Sequence, residues 1–302
     1  AKALRGKVVL VDFWTYSCIN CLRALPYVKA WDAKYRGQGL VVIGVHAPEF
    51  DFERDSGNVR KSLAKLGITY PVAMDNDMTL WNAFHNQYWP AHYFIDAKGR
   101  IRHHHFGEGN YDESEKVIRQ LLMEAHQTSS MPGTDTAMRV SGTGALAAPD
   151  MNEVKSPETY VGYARSERLA GDQAIAQDEV HVYTAPHVAD LNSWALGGSW
   201  RVMREYGENT AGHATITFRF HARDLHLVLG PATNGKRVKF HVTIDGHAPG
   251  ADAGVDVDAN GNGVVTDHRL YQLVRQHGAV GDRTFTVTFE MPGVRAYAFT
   301  FG

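Results

Sequence analysis

A buried β-strand leads directly into a cysteine pair in the segment Val8-Val9-Leu10-Val11-Asp12-Phe13-Trp14-Thr15-Tyr16-Ser17-Cys18-Ile19-Asn20-Cys21. The β-branched apolar run predicts the strand, and the polar break at Tyr16-Ser17 predicts that a helix begins at the cysteines. Cys18 and Cys21 are the only cysteines of the chain. On the first turn of a helix, positions three apart are close enough for a disulfide. The unpaired amides and the dipole there favour a thiolate at the first cysteine.

Three uses of this cysteine pair compete: redox chemistry, half of a zinc site, and an inert structural bridge. Zinc sites usually have four ligands, and the chain has no second C-x-x-C and no Cys/His pair to complete one. The strand that runs straight into the motif also favours redox chemistry. We therefore predict a redox-active dithiol and no metal at the pair.

Length and composition describe an ordinary globular chain of 302 residues, enough for two domains. The net charge of −2 gives no reason to expect a nucleic-acid partner. No apolar run reaches the roughly 20 residues of a membrane span, and no signal-peptide pattern is present. The sequence starts almost at its first strand, so we expect it to be a fragment of a protein with a further targeting or membrane segment.

The predicted secondary structure changes near the middle of the chain. Strand and helix patterns alternate up to His126, which favours an α/β domain over residues 1–127. Residues 128–153 are rich in Ser, Thr, Gly, Ala and Pro and are predicted to form a linker. From residue 154 to residue 302, short alternating β-rich runs such as Thr215–Phe220 predict an all-β jelly-roll sandwich.

The first domain resembles thioredoxin. The features that match are Val11-Asp12-Phe13-Trp14, the Cys18-x-x-Cys21 pair, Pro26 and a proline, Pro90, before a strand. The segment Ala47 to Phe84 resembles the central insertion of the TlpA and ResA branch, which reduces disulfides outside the cytoplasm.

A closer resemblance is to the soluble C-terminal part of DipZ-type proteins. It rests on Trp14 to Cys21, His46-Ala47-Pro48-Glu49-Phe50, Ser156 to Tyr160 and Arg269 to Val274. This resemblance implies an upstream DsbD/CcdA-like membrane domain as electron donor, and disulfides of exported proteins as substrates, with cytochrome c biogenesis as one setting. It also implies an extracytoplasmic location, tethered to the membrane, and a second domain that is similar to a carbohydrate-binding module.

The resemblance assigns roles around the cysteines. Cys18 would attack and Cys21 would complete the exchange, with no cofactor besides their disulfide. Pro90 would be cis and would present the backbone of Trp89 to a partner peptide; an ordinary strand-start proline is the alternative. Trp14 and Tyr16, with Trp89, would form an apolar rim, although core packing explains them equally.

Two acids are candidates for proton transfer. Asp12 matches the buried acid of thioredoxin, which would accept the proton of Cys21 through water; a strand-end Asp that bonds the backbone is the rival. Glu49 matches an active-site acid of the TlpA and ResA branch, against a solvated loop acid.

Aromatic residues of the second domain are candidates for stacking on carbohydrate, namely Trp194, Trp200 and Tyr271, with Tyr183 and Tyr206 as further members. Core packing is the default for such residues. No paired carboxylates indicate glycoside hydrolysis.

Two polar patterns are predicted to be structural elements rather than metal sites. His103-His104-His105 is predicted to be a solvated strand rather than a metal site. Asp256-x-Asp258-x-Asn260-Gly261, with Asp267, has the spacing of a calcium loop but lacks flanking helices, so a hairpin loop is favoured.

The leading hypothesis is an extracytoplasmic thiol–disulfide oxidoreductase that reduces exported proteins. The alternatives are a disulfide-forming oxidase, a glycan-binding module on a redox-inactive scaffold, and a sandwich that docks a protein. Ile19-Asn20 between the cysteines leaves the redox potential and the direction of electron flow open.

Overall fold

The computed structural model describes residues 2–128, 138–171, 174–231 and 235–302. They form two compact units that divide between Ala147 and Ala148. The predicted linker, 128–153, therefore contributes to both units, and its residues 129–137 lie outside the described part. Its segment from Met138 packs on the first unit: the Met138 amide donates to Glu115 Oε2 (2.7 Å), and the Tyr27 hydroxyl donates to the Val140 carbonyl (3.3 Å).

The first unit has a five-stranded mixed sheet in the order β3-β2-β1-β4-β5. Strands β1, β2 and β3 are parallel, and β4 and β5 are antiparallel to their neighbours. Its elements are β1 (Val8–Trp14), α1 (Ile19–Tyr35), β2 (Leu40–His46), α2 (Ser56–Leu66), β3 (Val72–Met74), α3 (Thr79–Ala83), β4 (Ala91–Ile95), β5 (Ile101–Phe106) and α4 (Tyr111–His126). Short 3-10 turns occupy Lys2–Leu4, Arg36–Gln38, Asp51–Arg54 and Gly144–Leu146. The predicted thioredoxin-like α/β fold is confirmed.

Strand β1 lies at the centre of this sheet, and all seven of its residues are buried. Val8 and Leu10 face a core shared with α1 and α4, while Val9, Val11 and Phe13 face a second core on the opposite side. A strand covered on both faces needs a nearly continuous apolar sequence, which explains the run that begins at Val8. Asp12 is the one acid within this run.

The second unit is a large antiparallel β-sheet that curls around one core. Its main path is β13-β12-β15-β10-β8-β9-β16-β11-β14, with β6 paired to β16 and β7 to β8. The strands are β6 (Thr159–Tyr160), β7 (Val180–Thr184), β8 (Trp194–Val202), β9 (Gly207–Asn209), β10 (Ala214–His221), β11 (Asp224–Gly230), β12 (Val238–Ile244), β13 (Asn262–Val265), β14 (Arg269–Arg275), β15 (Asp282–Phe289) and β16 (Arg295–Phe301). The all-β expectation is confirmed, with the two faces of the predicted sandwich formed by one continuous sheet.

The aromatic residues proposed to stack on carbohydrate lie inside this core. Trp194, Trp200 and Tyr271 have 0% exposure. Their polar atoms are also satisfied internally: Trp194 Nε1 donates to the Glu167 carbonyl (2.7 Å), and Trp200 Nε1 donates to the Gly197 carbonyl (2.9 Å). The prediction that these three residues bind carbohydrate is therefore wrong, because the curl of the sheet turns them inward.

The acidic loop between the antiparallel strands β12 and β13 is held by hydrogen bonds within the protein. Asp256 accepts from Arg269 Nη2 (2.6 Å) and from the Gln272 amide (2.9 Å), and Asp258 accepts from the Asn260 and Asn262 amides. Across the described residues, no three His, Cys, Asp or Glu side chains are grouped so that they could hold a metal. Within the same residues, no helix is both long and apolar enough to cross a bilayer.

Truncation of a core tryptophan tests the burial of these aromatic residues. Trp200→Ala is expected to lower the free energy of unfolding by about 3–5 kcal/mol, because it leaves a cavity in the curled sheet. Chemical denaturation of the full chain, followed by fluorescence and circular dichroism, measures the change. The control is Val182→Ala on β7, whose side chain is 66% exposed and which should change stability by no more than about 0.5 kcal/mol. Equal effects of the two variants would contradict the assigned core.

Candidate active site

The cysteine pair lies where β1 gives way to α1, as the sequence predicts. Cys18 is the N-cap residue of α1, with extended backbone angles (φ −78°, ψ 120°), and its carbonyl accepts from the Leu22 amide (3.0 Å). Both thiols are free; Cys18 is partly exposed, whereas Cys21 is only 3% exposed. A partner disulfide can therefore reach Cys18 but not Cys21.

The two thiols also differ electrostatically. Burial raises the pKa of Cys21 well above its ordinary value, and the hydrogen bond and charge interaction with Cys18 raise it further. The charge of Asp12 acts in the same direction. Cys21 consequently remains a neutral thiol near neutral pH and needs a base before it can attack.

An apolar rim surrounds the pair. Trp14, Tyr16, Val59 and Trp89 share one cluster with both cysteines. The Trp89–Pro90 peptide bond is cis, which confirms the expectation for Pro90. Trp89 is fixed by its indole N–H, which donates to the Ala47 carbonyl (3.0 Å), and by Trp81, whose ring centroid lies 4.3 Å away.

Asp12 lies on the same face of the sheet as Val8 and Leu10, and it is 3% exposed. Its cross-strand neighbour on β4 is His92, and Asp12 Oδ1 is 3.3 Å from His92 Nε2. The Oδ1 atom has no hydrogen bond in the protein. The side chain therefore faces a histidine and exerts its charge on Cys21, rather than capping a backbone group at the end of the strand.

A second buried acid, Glu53, supports the loop that carries Cys18. It has 0% exposure and lies in the 3-10 turn after β2. Its Oε1 accepts from the Ser17 hydroxyl (2.6 Å), the Ser17 amide (3.3 Å) and the Thr15 hydroxyl. Its Oε2 accepts from the amides of Glu49 (2.7 Å) and Phe50 (3.1 Å). One carboxyl group thus ties the lead-in to Cys18 to the loop that follows β2.

Burial raises the pKa of Glu53 from 4.5 to about 7, although the hydrogen bonds from Ser17 and Thr15 oppose this shift. Burial also lowers the pKa of His46 to about 4, so this imidazole is neutral. His46 Nε2 lies 3.4 Å from the Thr15 hydroxyl, and its ring stacks on Tyr16. Because the Thr15 hydroxyl donates to Glu53, the proton of neutral His46 belongs on Nε2.

Comparisons with known proteins show the family of the chain. Residues 1–104 match the AhpC/TSA family, and residues 156–302 match the family described as thioredoxin like C-terminal domain. The thiol-disulfide oxidoreductase YkuV of Bacillus subtilis is 36% identical over 118 residues, which are 39% of this chain and 79% of that protein. The chain belongs to the thioredoxin-like thiol–disulfide oxidoreductases.

The DipZ proteins of Mycobacterium bovis and Mycobacterium tuberculosis are each 37% identical to this oxidoreductase over its whole length. The chain spans 40% of the length of each of them. The resemblance to DipZ-type proteins is thus confirmed across both units.

The oxidoreductase brings together most of the predicted site: Cys18, Cys21, Asp12, Trp14, Tyr16 and Trp89 beside cis Pro90. Glu49 is half-buried in the nearby loop, and its amide binds Glu53. Sequence reasoning missed Glu53 and His92. Glu53 could have been found from its position three residues after Phe50. At that spacing, a Glu side chain can accept a hydrogen bond from the backbone amide at the start of a helical turn.

Replacement of Glu53 by Gln is expected to abolish a pH dependence of stability. Because folding raises the pKa of Glu53 from 4.5 to about 7, its stabilising contribution is complete below about pH 4.5 and is lost as the pH rises through about 7. Between these limits the free energy of unfolding of the wild type should fall by about 3 kcal/mol relative to that of Glu53→Gln.

Denaturant unfolding at a series of pH values measures this difference. Asp51→Asn removes an exposed carboxylate from the same turn and is the matched control. Parallel stability profiles for the wild type and Glu53→Gln would show that the buried carboxyl does not titrate as assigned.

Proposed function

We propose that this oxidoreductase relays electrons from a membrane DsbD/CcdA-like domain of the same full-length protein to disulfides of exported proteins. It would act on the extracytoplasmic side, in the periplasm or cell envelope, tethered by that membrane domain, and exported cytochromes c would be one group of substrates. The match to DipZ over the whole chain supports this proposal, since the chain accounts for less than half of each DipZ protein.

The chemistry follows from the unequal thiols. The Cys18 thiolate attacks a substrate disulfide, forms a mixed disulfide and releases one substrate thiol. Cys21 then gives its proton to Asp12 and attacks Cys18, which releases the second substrate thiol and leaves the Cys18–Cys21 disulfide. Two electrons have passed to the substrate, and two electrons from the membrane domain restore the dithiol. The backbone of half-buried Trp89, which precedes the buried cis Pro90, would hold the substrate backbone beside Cys18.

Reduction is favoured over oxidation by the charges around the pair. A strongly oxidising site stabilises its reduced form, usually by placing positive charge near the thiolate. Here the one histidine packed on Tyr16 is His46, which burial keeps neutral, and the nearby buried acid is Glu53. The neutral state of His46, together with the pairing of the buried Arg23 guanidinium with Glu108 (3.2 Å), supports the reducing direction.

Trapping tests the assignment of the attacking cysteine. Cys21→Ser is expected to accumulate mixed disulfides between Cys18 and exported proteins, because no second thiol can release them. Non-reducing electrophoresis and mass spectrometry of the full-length protein in its membrane would identify the adducts. Cys18→Ser, which leaves only the buried Cys21, is the matched control and should trap none. Equal trapping by the two variants, or none by Cys21→Ser, would contradict the assigned roles.

The reduction potential tests the direction of electron flow. We expect a value closer to the −270 mV of thioredoxin than to the −120 mV of DsbA, at about −250 mV or below. Equilibration of the purified chain with glutathione or dithiothreitol buffers, read by thiol alkylation, measures it. A potential near that of DsbA would instead make the protein a disulfide-forming oxidase.

A glycan ligand for the second unit is a subordinate proposal that rests on the resemblance to a carbohydrate-binding module. With Trp194, Trp200 and Tyr271 buried, the place for such a ligand is a pocket of about 430 Å³ beside β6. Its lining includes Tyr160, Arg165 and Arg168, and the Arg165 guanidinium lies 3.5 Å above the Tyr160 ring. The pocket would localise the oxidoreductase in the envelope without taking part in the redox step.

A further inference from the structure

Three titratable residues lie side by side across the first sheet. Asp12 on β1 pairs in register with His92 on β4, and His92 pairs in register with His105 on β5. Residues directly opposite each other on neighbouring strands point to the same face. Asp12 Oδ1 is 3.3 Å from His92 Nε2, and the His92 and His105 ring centroids are 6.3 Å apart with their planes inclined by 26°. We call these three residues the Asp–His–His row.

The row leads from the interior to the edge of the sheet. Asp12 and His92 are buried, with 3% and 0% exposure, whereas His105 lies half-buried on the edge strand β5. At its inner end, the charge of Asp12 acts on the Cys21 thiol. One end of the row therefore lies within reach of the charge of the Cys21 thiol, and the other end lies near solvent.

Packing alone does not explain why histidines occupy positions 92 and 105. His92 Nδ1, His92 Nε2 and His105 Nε2 are buried and have no hydrogen bond in the protein, although Asp12 Oδ1 lies only 3.3 Å from His92 Nε2. Such unsatisfied atoms are costly in a core and are normally bonded to ordered water. An aliphatic residue at position 92 would fill the same place beside Trp31 without this cost.

We propose that His92 and His105 are positioning residues that carry the proton of Cys21 from Asp12 to solvent during thiol–disulfide exchange. An imidazole can accept a proton on one nitrogen and release it from the other. The separation between the two rings suits one bridging water. The inference rests on the exchange at Cys18 and Cys21 described under the proposed function.

The step is balanced within the mixed disulfide. The Cys21 S–H bond breaks, its proton passes to Asp12, and the sulfur electron pair forms the bond to Cys18 Sγ. The bond between Cys18 and the partner sulfur breaks, and that sulfur leaves with the bonding pair and takes a proton from water. The proton on Asp12 moves through His92 and His105 to solvent, so the row returns to its starting state.

Other charged groups surround the row and bear on its pH dependence. Burial and the neighbouring histidines lower the pKa of His105, so this imidazole is neutral near pH 7. Among the described side chains, the titratable and charged groups near the row, besides Cys21, include Arg23, Asp32, Tyr70, His103, His104 and Glu108. Arg23 and Glu108 form an ion pair with each other (3.2 Å).

Reaction of the reduced full chain with Ellman's reagent separates the two halves of the exchange. The first thionitrobenzoate released reports attack by Cys18, and the second reports attack by Cys21 on the mixed disulfide. His92→Gln and His105→Gln should leave the first rate unchanged and slow the second by about tenfold near neutral pH. The deficit should shrink as the pH rises and Cys21 ionises without help, and added imidazole should restore the second rate in His105→Gln.

His103→Gln is the matched control, because His103 lies on the same face of β5 two residues away and pairs with Phe94 instead of His92. It should leave both rates unchanged. Second-step rates of His105→Gln within about twofold of the wild type would overturn the proposal, as would equal slowing of both steps. His105 is half-buried, so this variant decides the matter even if His92→Gln fails to fold. A missing first release in the wild type would instead contradict the exchange at Cys18 itself.

Discussion

The burial of β1 on both faces is the constraint on which the first unit depends. A central strand of seven buried residues fixes its neighbours β2 and β4 by hydrogen bonds and fixes the direction in which the chain leaves the sheet. The chain therefore reaches Cys18 at a set position and opens α1 with the second thiol beneath the first. The difference in exposure between Cys18 and Cys21 follows from that geometry.

In the candidate active site, burial shifts pKa values more than ion pairs do. Low polarity holds Cys21 as a thiol, keeps His46 neutral and moves the pKa of Glu53 to about 7. The same low polarity makes every remaining hydrogen bond stronger, which suits Glu53 as the link between the Cys18 lead-in and the loop after β2. Asp12 contributes by position, since its charge opposes that of a Cys21 thiolate and raises the pKa of Cys21.

In the second unit, the curvature of the sheet decides whether aromatic side chains are buried or available to a ligand. Alternate positions of β8, β10 and β15 enter a single core, and Trp194, Trp200 and Phe218 are fully buried there. A surface that stacks on a ligand would need such rings exposed. The pocket around Tyr160 and Arg165 is a different kind of surface, and it is lined by residues of the segment around β6.

Features that depend on neighbours along the chain could be predicted from residue patterns: the strand from Val8, the cysteines at a helix start, the proline before β4, and the change to β-rich patterns. The tertiary structure decided the features that depend on distant residues. Glu53 meets Ser17 only because the segment after β2 folds back on the lead-in to Cys18. Asp12 meets His92 only through the register of β1 with β4, and Trp200 is buried only because its sheet curls. A sequence pattern shows which residues alternate along a strand. Strand pairing and sheet curvature depend on the whole core, and they decide what each of these residues faces.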